Sequence, residues 1–288
     1  MPNSKYILIT GATSGIGKAA ALQLAADGAV VIATARNQGK GADLLEDYRK
    51  AHPHGKGRIE LVECDLASFE SVSMACEEIA ESYHHLDTII NNAGVMAKNF
   101  TKSRDGIELT WQVNVLAPML MSHLLLPKFE KVLEPKLIFS TSGFHIGNVD
   151  LKDPEFLEKN YVSWQAYRQS KLALILLTRL MAPALTEKEI GVYVQHPGLV
   201  NTEINRSSGP LLKLMFGVFA MSAEKGADTL LYLTNTPNDE LISGEYYSKS
   251  RVTKSAKGAY DMQQAEALLK IVKEYLNKYI TESSLIFD

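Results

Sequence analysis

The stretch KYILITGATSGIGKAAALQLAADG, Lys5 to Gly28, decides the fold. KYILIT is a short apolar run with the length of a buried strand. GKAAALQLAADG reads as a helix rich in alanine, the best helix former. Between them stand Gly11, Gly15 and Gly17. Glycine permits a tight turn and lets the backbone come close to a pyrophosphate. The helix N-terminus that follows offers free N–H groups and a partial positive charge. A glycine cluster alone is a weak signal, since any strand-to-helix turn can use one. Here the strand before and the helix after meet the context a dinucleotide site requires. The loop residues Gly11, Thr13, Ser14, Gly15, Ile16 and Gly17 are therefore expected to cradle a dinucleotide phosphate.

Outward from this unit the same alternation repeats. AVVIATAR, RIELVECDL, LDTIINNAG, PKLIFSTSG, GVYVQHPG and GEYYS are short β-rich runs, each followed, directly or after a loop, by a helix-like segment, the last around DMQQAEALLKIVKEYLNKY. The runs are nearly continuous in apolar residues, as in strands covered on both faces. This predicts an α/β fold: a doubly wound parallel sheet with helices on both faces, in a single domain over 1–288. Ligands of such sheets bind at the carboxyl ends of the strands.

Bulk properties narrow the function. Hydrophobic residues make up 46% of the 288 and charged residues 22%, an ordinary globular mixture. The net charge of −3 carries no basic bias, which argues against a nucleic-acid partner. Cys64 and Cys76 cannot form a disulfide framework and suit a reducing compartment. The N-terminal apolar run is too short for a signal peptide, and no stretch reads as a run of about 18 apolar residues. A cytoplasmic protein without an integral membrane segment is the expectation. GPLLKLMFGVFAMS, Gly209 to Ser222, is too short to span.

The remaining strand ends carry the chemistry. An NAD site usually has a carboxylate after the second strand; here Arg36 stands there, and a guanidinium can pair with a 2′-phosphate. NADP(H) is thus expected over NAD(H), with a plain solvated strand-end charge as the alternative reading of Arg36. Asp65 and Leu66 end the third strand, where they flank an adenine or simply precede the Ser68 helix cap. Asn92, Ala93 and Gly94 end the fourth, as a cofactor-side passage or an Asn-rich turn. Ser140, Thr141 and Ser142 are successive hydroxyls at the end of the fifth. Pro197 and Gly198 bend the chain after the sixth, followed by Val200 and Thr202. In WQAYRQSKLALILL, Tyr167 and Lys171 lie one helical turn apart on one face. A surface pair would read the same. No grouping of residues reads as a metal site.

TGATSGIG, NNAG, Asn114, Ser142, YRQSK and HPG, in that order, resemble the short-chain dehydrogenase/reductase family over nearly the whole chain. QVNVLAP, STSGFH and ISGEYYS resemble its branch of retinol dehydrogenases, WW-domain oxidoreductase and protochlorophyllide reductase, without the WW domains and the membrane anchor of some relatives. The resemblance implies a Rossmann-type fold and a catalytic set of Asn114, Ser142, Tyr167 and Lys171. Tyr167 would be the general acid/base, with its high phenol pKa lowered by the Lys171 ammonium. Lys171 would also bond the cofactor ribose. The family's spacing to the tyrosine selects Ser142 as the hydroxyl that holds the substrate oxygen. Asn114 would hold a water that relays protons from Lys171. Thr202 and the Val200 backbone would meet the nicotinamide carboxamide. His145 and His196 are read as structural or pocket-lining.

The segment after Thr202, about 203–222, is the least regular and carries seven large apolar residues between Leu211 and Phe219. As a lid over the nicotinamide it implies a small apolar carbonyl or alcohol substrate. Core filling or a subunit interface in a homo-oligomer accounts for it equally, and a membrane-surface contact less well, since cationic residues are few. The function expected is an NADP(H)-dependent oxidoreductase. A carbon–carbon double-bond reductase and a non-catalytic NADP(H) sensor are the rivals.

Overall fold

The structure is a computed structural model that describes residues 4–198 and 222–280. Among these residues the strands are β1 Tyr6–Ile9, β2 Val30–Ala35, β3 Arg58–Glu63, β4 Thr88–Asn91, β5 Lys136–Ser140, β6 Gly191–His196, β7 Tyr246–Ser248 and β8 Arg251–Val252. They form one eight-stranded sheet in the order β3-β2-β1-β4-β5-β6-β7-β8. All neighbours are parallel except β7 and β8. The doubly wound parallel sheet is as the sequence implies, with a short antiparallel edge added. β8 has two exposed residues and no apolar run to betray it.

Alternation along the strands builds two cores. Ile32, Leu8, Ile89, Leu137 and Val192 sit side by side in register and point to one face. That face is covered by α3 (Phe69–Ser82), α4 (Leu109–Phe129), α5 (Ser163–Thr186) and α7 (Met262–Leu276). Ile7, Ile9, Val31, Ile90 and Ile138 point to the other, against α1 (Gly15–Ala26), α2 (Gln38–Ala51) and α6 (Ala223–Asn235). Ala20, Ala21 and Ala25 are fully buried, and their small side chains let α1 lie close to the sheet. The chain reverses direction across the sheet between β1 and β4, so a crevice opens at their carboxyl ends.

α4 departs from the expectation for membrane spans. It is the one helix among the described residues long and apolar enough to cross a membrane, but 83% of that window is buried inside the protein. It is a core helix. Its start is held by Glu108, whose carboxylate accepts from the N–H groups of Thr110 and Trp111. The Glu108 N–H donates to Glu155, which also accepts from the Tyr275 hydroxyl on α7. On the opposite face Lys136, 2% exposed, donates to the carbonyls of Leu233, Thr234 and Thr236 where α6 ends. These are the helix's orphan acceptors, and a cation is favourable there.

Candidate active site

The turn from β1 into α1 is shaped by close approach. Gly11 and Gly15 have φ of +68° and +53°, which L side chains rarely adopt. A Cβ on Gly17 would lie 2.3 Å from the Gly11 carbonyl oxygen. Ser14 takes the N-cap position of α1 without a side-chain cap, so the first N–H groups have no side-chain acceptor. Thr10 braces the turn from below. Its hydroxyl accepts from the N–H groups of Asn92 and Ala93, and the Asn92 amide donates back to the Thr10 carbonyl. The sequence reading overlooked Thr10, although a buried threonine at a strand end is the one visible signal.

A cleft of about 480 Å³ runs over these strand ends. It brings together nearly all the expected residues: Gly11, Thr13, Ser14, Gly15, Ile16 and Gly17; Arg36; Asp65 and Leu66; Asn92, Ala93 and Gly94; Ser142, Tyr167 and Lys171; Pro197 and Gly198. Val200, Thr202 and the Leu211–Phe219 segment lie outside the described residues. Of the expected lid only Ser222 is described, and it caps α6 by accepting from the Lys225 N–H. Arg36 is exposed at the end of β2. Asp65 accepts from the Ala67 N–H and lies 3.5 Å from the Arg104 guanidinium.

At the β5 end the three hydroxyls separate. Ser140 Oγ accepts from Gln195 Nε2 at 2.7 Å and donates to Asn92. Thr141 donates to the Gln195 carbonyl. Ser142 Oγ accepts from the Phe144 N–H and is the hydroxyl that acts on the Tyr167 phenol. Lys171, 3% exposed, donates to the Ser140 carbonyl at 3.1 Å. Its Nζ stands 5.7 Å from the centre of the Tyr167 ring. A Cβ on Gly94 would meet that Nζ at 3.1 Å and Asn114 Oδ1 at 3.3 Å, so only glycine leaves both in place.

The electrostatics correct one expectation. Burial pushes the Tyr167 phenol up to about 12, and the hydrogen bond with Ser142 opposes it without prevailing. Burial also pushes Lys171 down to about 8. Desolvation of each group thus outweighs the attraction expected between them.

Asn114 is fully buried and does not line the cleft. It lies in a wide π turn, Gln112–Leu116, within α4. Its side chain accepts from the Val95 N–H and donates to the Val95 carbonyl and to Ser170 Oγ. Ser170 in turn donates to the Tyr167 carbonyl. Asn114 therefore ties the β4 loop to the Tyr167 helix. Pro118, four residues on, has no N–H, so the ordinary i to i+4 bond to the Asn114 carbonyl cannot form there.

The sequence reading placed the apolar pocket in the lid alone. The described residues already give the cleft an apolar wall of Val95, Met96, Leu109, Val113, Phe144 and Trp164. Phe144 and Trp164 meet edge to face at 4.7 Å. They come from two segments, and nothing in the sequence pairs them.

The fold and this cleft define a dinucleotide-binding oxidoreductase. The model of the short chain dehydrogenase family matches residues 5–211, and the chain belongs to that family. It falls in the retinol dehydrogenase branch. It is 33% identical to mouse retinol dehydrogenase 14 over 284 residues, covering 93% of this chain and 85% of that one. It is 34% identical to human retinol dehydrogenase 12, over 94% of this chain and 86% of that one. The NADPH-bound carbonyl reductase from chicken fatty liver shares the fold, with a TM-score of 0.66 at 24% identity over 88% of this chain and 99% of that one. Members of the family use a nicotinamide cofactor on alcohol or carbonyl groups.

Proposed function

We propose that this chain is an NADP(H)-dependent oxidoreductase that moves a hydride between nicotinamide and an apolar carbonyl or alcohol. The observation that carries the reading is one cleft holding Ser142, Tyr167 and Lys171 together with the glycine turn and Arg36. The turn fits the pyrophosphate: glycine is required at positions 11 and 17 by close approach, and the uncapped α1 N-terminus faces no side-chain acceptor. Arg36, at the end of β2 where the strand itself supplies no carboxylate, suits a 2′-phosphate. Asp65 and Leu66 suit the adenine, and Lys171 the nicotinamide ribose.

When bound, the nicotinamide supplies the hydride for reduction or accepts it in oxidation. The chain does the rest. Ser142 donates a hydrogen bond to the substrate oxygen as negative charge grows there. Tyr167 gives its phenolic proton to that oxygen, so a carbonyl leaves as an alcohol. The Lys171 ammonium, held on the Ser140 carbonyl, steadies the phenolate that remains. Asn114, whose Oδ1 shares the space beside Gly94 with the Lys171 Nζ, would hold a water that returns a proton toward Lys171. The wall of Val95, Met96, Leu109, Val113, Phe144 and Trp164 excludes water and favours an apolar substrate.

The test is NADPH oxidation with aldehydes and ketones of rising apolar size, retinal included, beside Tyr167→Phe. Turnover should improve with apolar size and fall by about a hundredfold or more in the variant. Tight NADPH binding without any turnover would overturn the reading in favour of double-bond reduction or sensing.

A further inference from the structure

Two histidines have no part in the chemistry above, and both hold one peptide group. His145 Nδ1 lies 2.7 Å from the carbonyl oxygen of Ser142. Across the same peptide, the Gly143 N–H donates to His196 Nδ1 at 3.1 Å. The oxygen and the N–H that follow Ser142 are each engaged by an imidazole.

The partners fix the tautomers. The Ala256 N–H donates to His145 Nε2 at 2.9 Å, so Nε2 carries the lone pair. The proton of the neutral ring therefore sits on Nδ1 and is donated to the Ser142 carbonyl. His196 accepts at Nδ1, so its proton sits on Nε2. Burial holds both rings below the ordinary histidine range, His196 at about 4, so both are neutral near pH 7. The Tyr246 ring lies 4.8 Å from His145 and is nearly parallel to His196 at 6.4 Å. Gly143 lets His196 approach, since a Cβ there would lie 3.1 Å from Nε2. A peptide followed by glycine at a strand end is otherwise easily rotated.

We infer that His145 and His196 are positioning residues that set the Ser142 hydroxyl by clamping the peptide after it from both sides. Through Ala256, His145 also makes that setting depend on the segment that follows β8. The inference rests on the reading of Ser142 as the hydroxyl that holds the substrate oxygen. A reacting group displaced by about 1 Å can cost on the order of a hundredfold in rate.

Two substitutions at one position separate the two bonds of His145. His145→Asn puts an amide N–H near the place of Nδ1 and keeps the bond to Ser142. His145→Gln reaches the place of Nε2 and keeps the bond from Ala256 instead. With NADPH and the aldehyde turned over fastest in the panel, the glutamine variant should lose about ten- to a hundredfold in kcat. The asparagine variant should recover most of that loss, with NADPH Kd and Tm alike in the two. Equal kcat in both, or a loss that appears in NADPH Kd or Tm instead, overturns the clamp. Ser142→Ala belongs in the same assay. Full turnover there sinks the reading of Ser142 itself, whatever the histidines do. Long-range 15N–1H spectra of the wild-type protein read the tautomers without any turnover. A His145 protonated at Nε2 would also overturn the clamp.

Discussion

Three hydroxyls stand at the end of β5, and their neighbours set them apart. Ser140 is committed to Gln195 and Asn92, and Thr141 to the Gln195 carbonyl. Ser142 faces Tyr167. Strand alternation separates Thr141 from the other two, but the side-chain commitments of Ser140 depend on Gln195, 55 residues away, and are invisible in the sequence. The Tyr167–Lys171 pair was legible because helical spacing puts residues four apart on one face. Its electrostatics were not, because burial comes from the whole fold. That burial has a kinetic consequence. With Tyr167 near 12 and Lys171 near 8, lysine is the first of the two to lose its proton as pH rises. In the reducing direction kcat/KM reports groups of the free enzyme, and it should fall above about pH 8. A limb near 10 or higher in the pH profile would assign the fall to tyrosine instead. At the far end of the cleft, Arg36→Ala should raise the KM for NADPH by about tenfold and leave that for NADH nearly as it was, as loss of a charge-assisted pair requires. Steady-state kinetics with both cofactors decides this, and equal losses would remove the 2′-phosphate argument.

Elements were read with uneven success, for physical reasons. The buried strands announce themselves because both their faces are covered, so nearly every residue is apolar. β8 is an exposed edge pair and carries no such mark. The helix through QVNVLAP is plain from its apolar content, yet its π turn is not, because the extra residue follows from packing around Asn114. Pro118 is the one hint. The glycine turn between β1 and α1 was the most legible element of all, since its chemistry needs the residue type itself. Gly17→Ala tests it. The added Cβ would lie 2.3 Å from the Gly11 oxygen and 2.5 Å from the Asn92 amide, and backbone cannot yield there as a side-chain tip does. Overpacking of this kind costs about 1–3 kcal/mol. Melting should show a lower Tm, and fluorescence titration a weaker NADPH complex. A variant with the wild-type Kd would mean that the turn does not cradle the phosphates.

Across the whole molecule, the order of the sheet gathers residues from almost the full length of the chain at one set of strand ends. That gathering was predictable once seven runs read as parallel strands. The two cysteines show the same burial at work. Burial pushes Cys64 up to about 12 and Cys76 higher still, and the thiol rather than the thiolate prevails. Iodoacetamide at pH 8 should leave both unlabelled in the native protein and label both in guanidinium, as read by mass spectrometry. Rapid labelling of the native chain would contradict the tight packing around α3.

The long-range partners of Lys136 and Glu155 bear on how the molecule is made. The lysine of β5 finds its acceptors only at Leu233, Thr234 and Thr236, and Glu155 receives the hydroxyl of Tyr275. A ribosome delivers the N-terminal part first. Until those later residues emerge, Lys136 would be buried without its acceptors and Glu155 with the Glu108 N–H alone. Burying them early is costly, so the chain has reason to stay open while it grows. Closure around Glu155 then waits for α7.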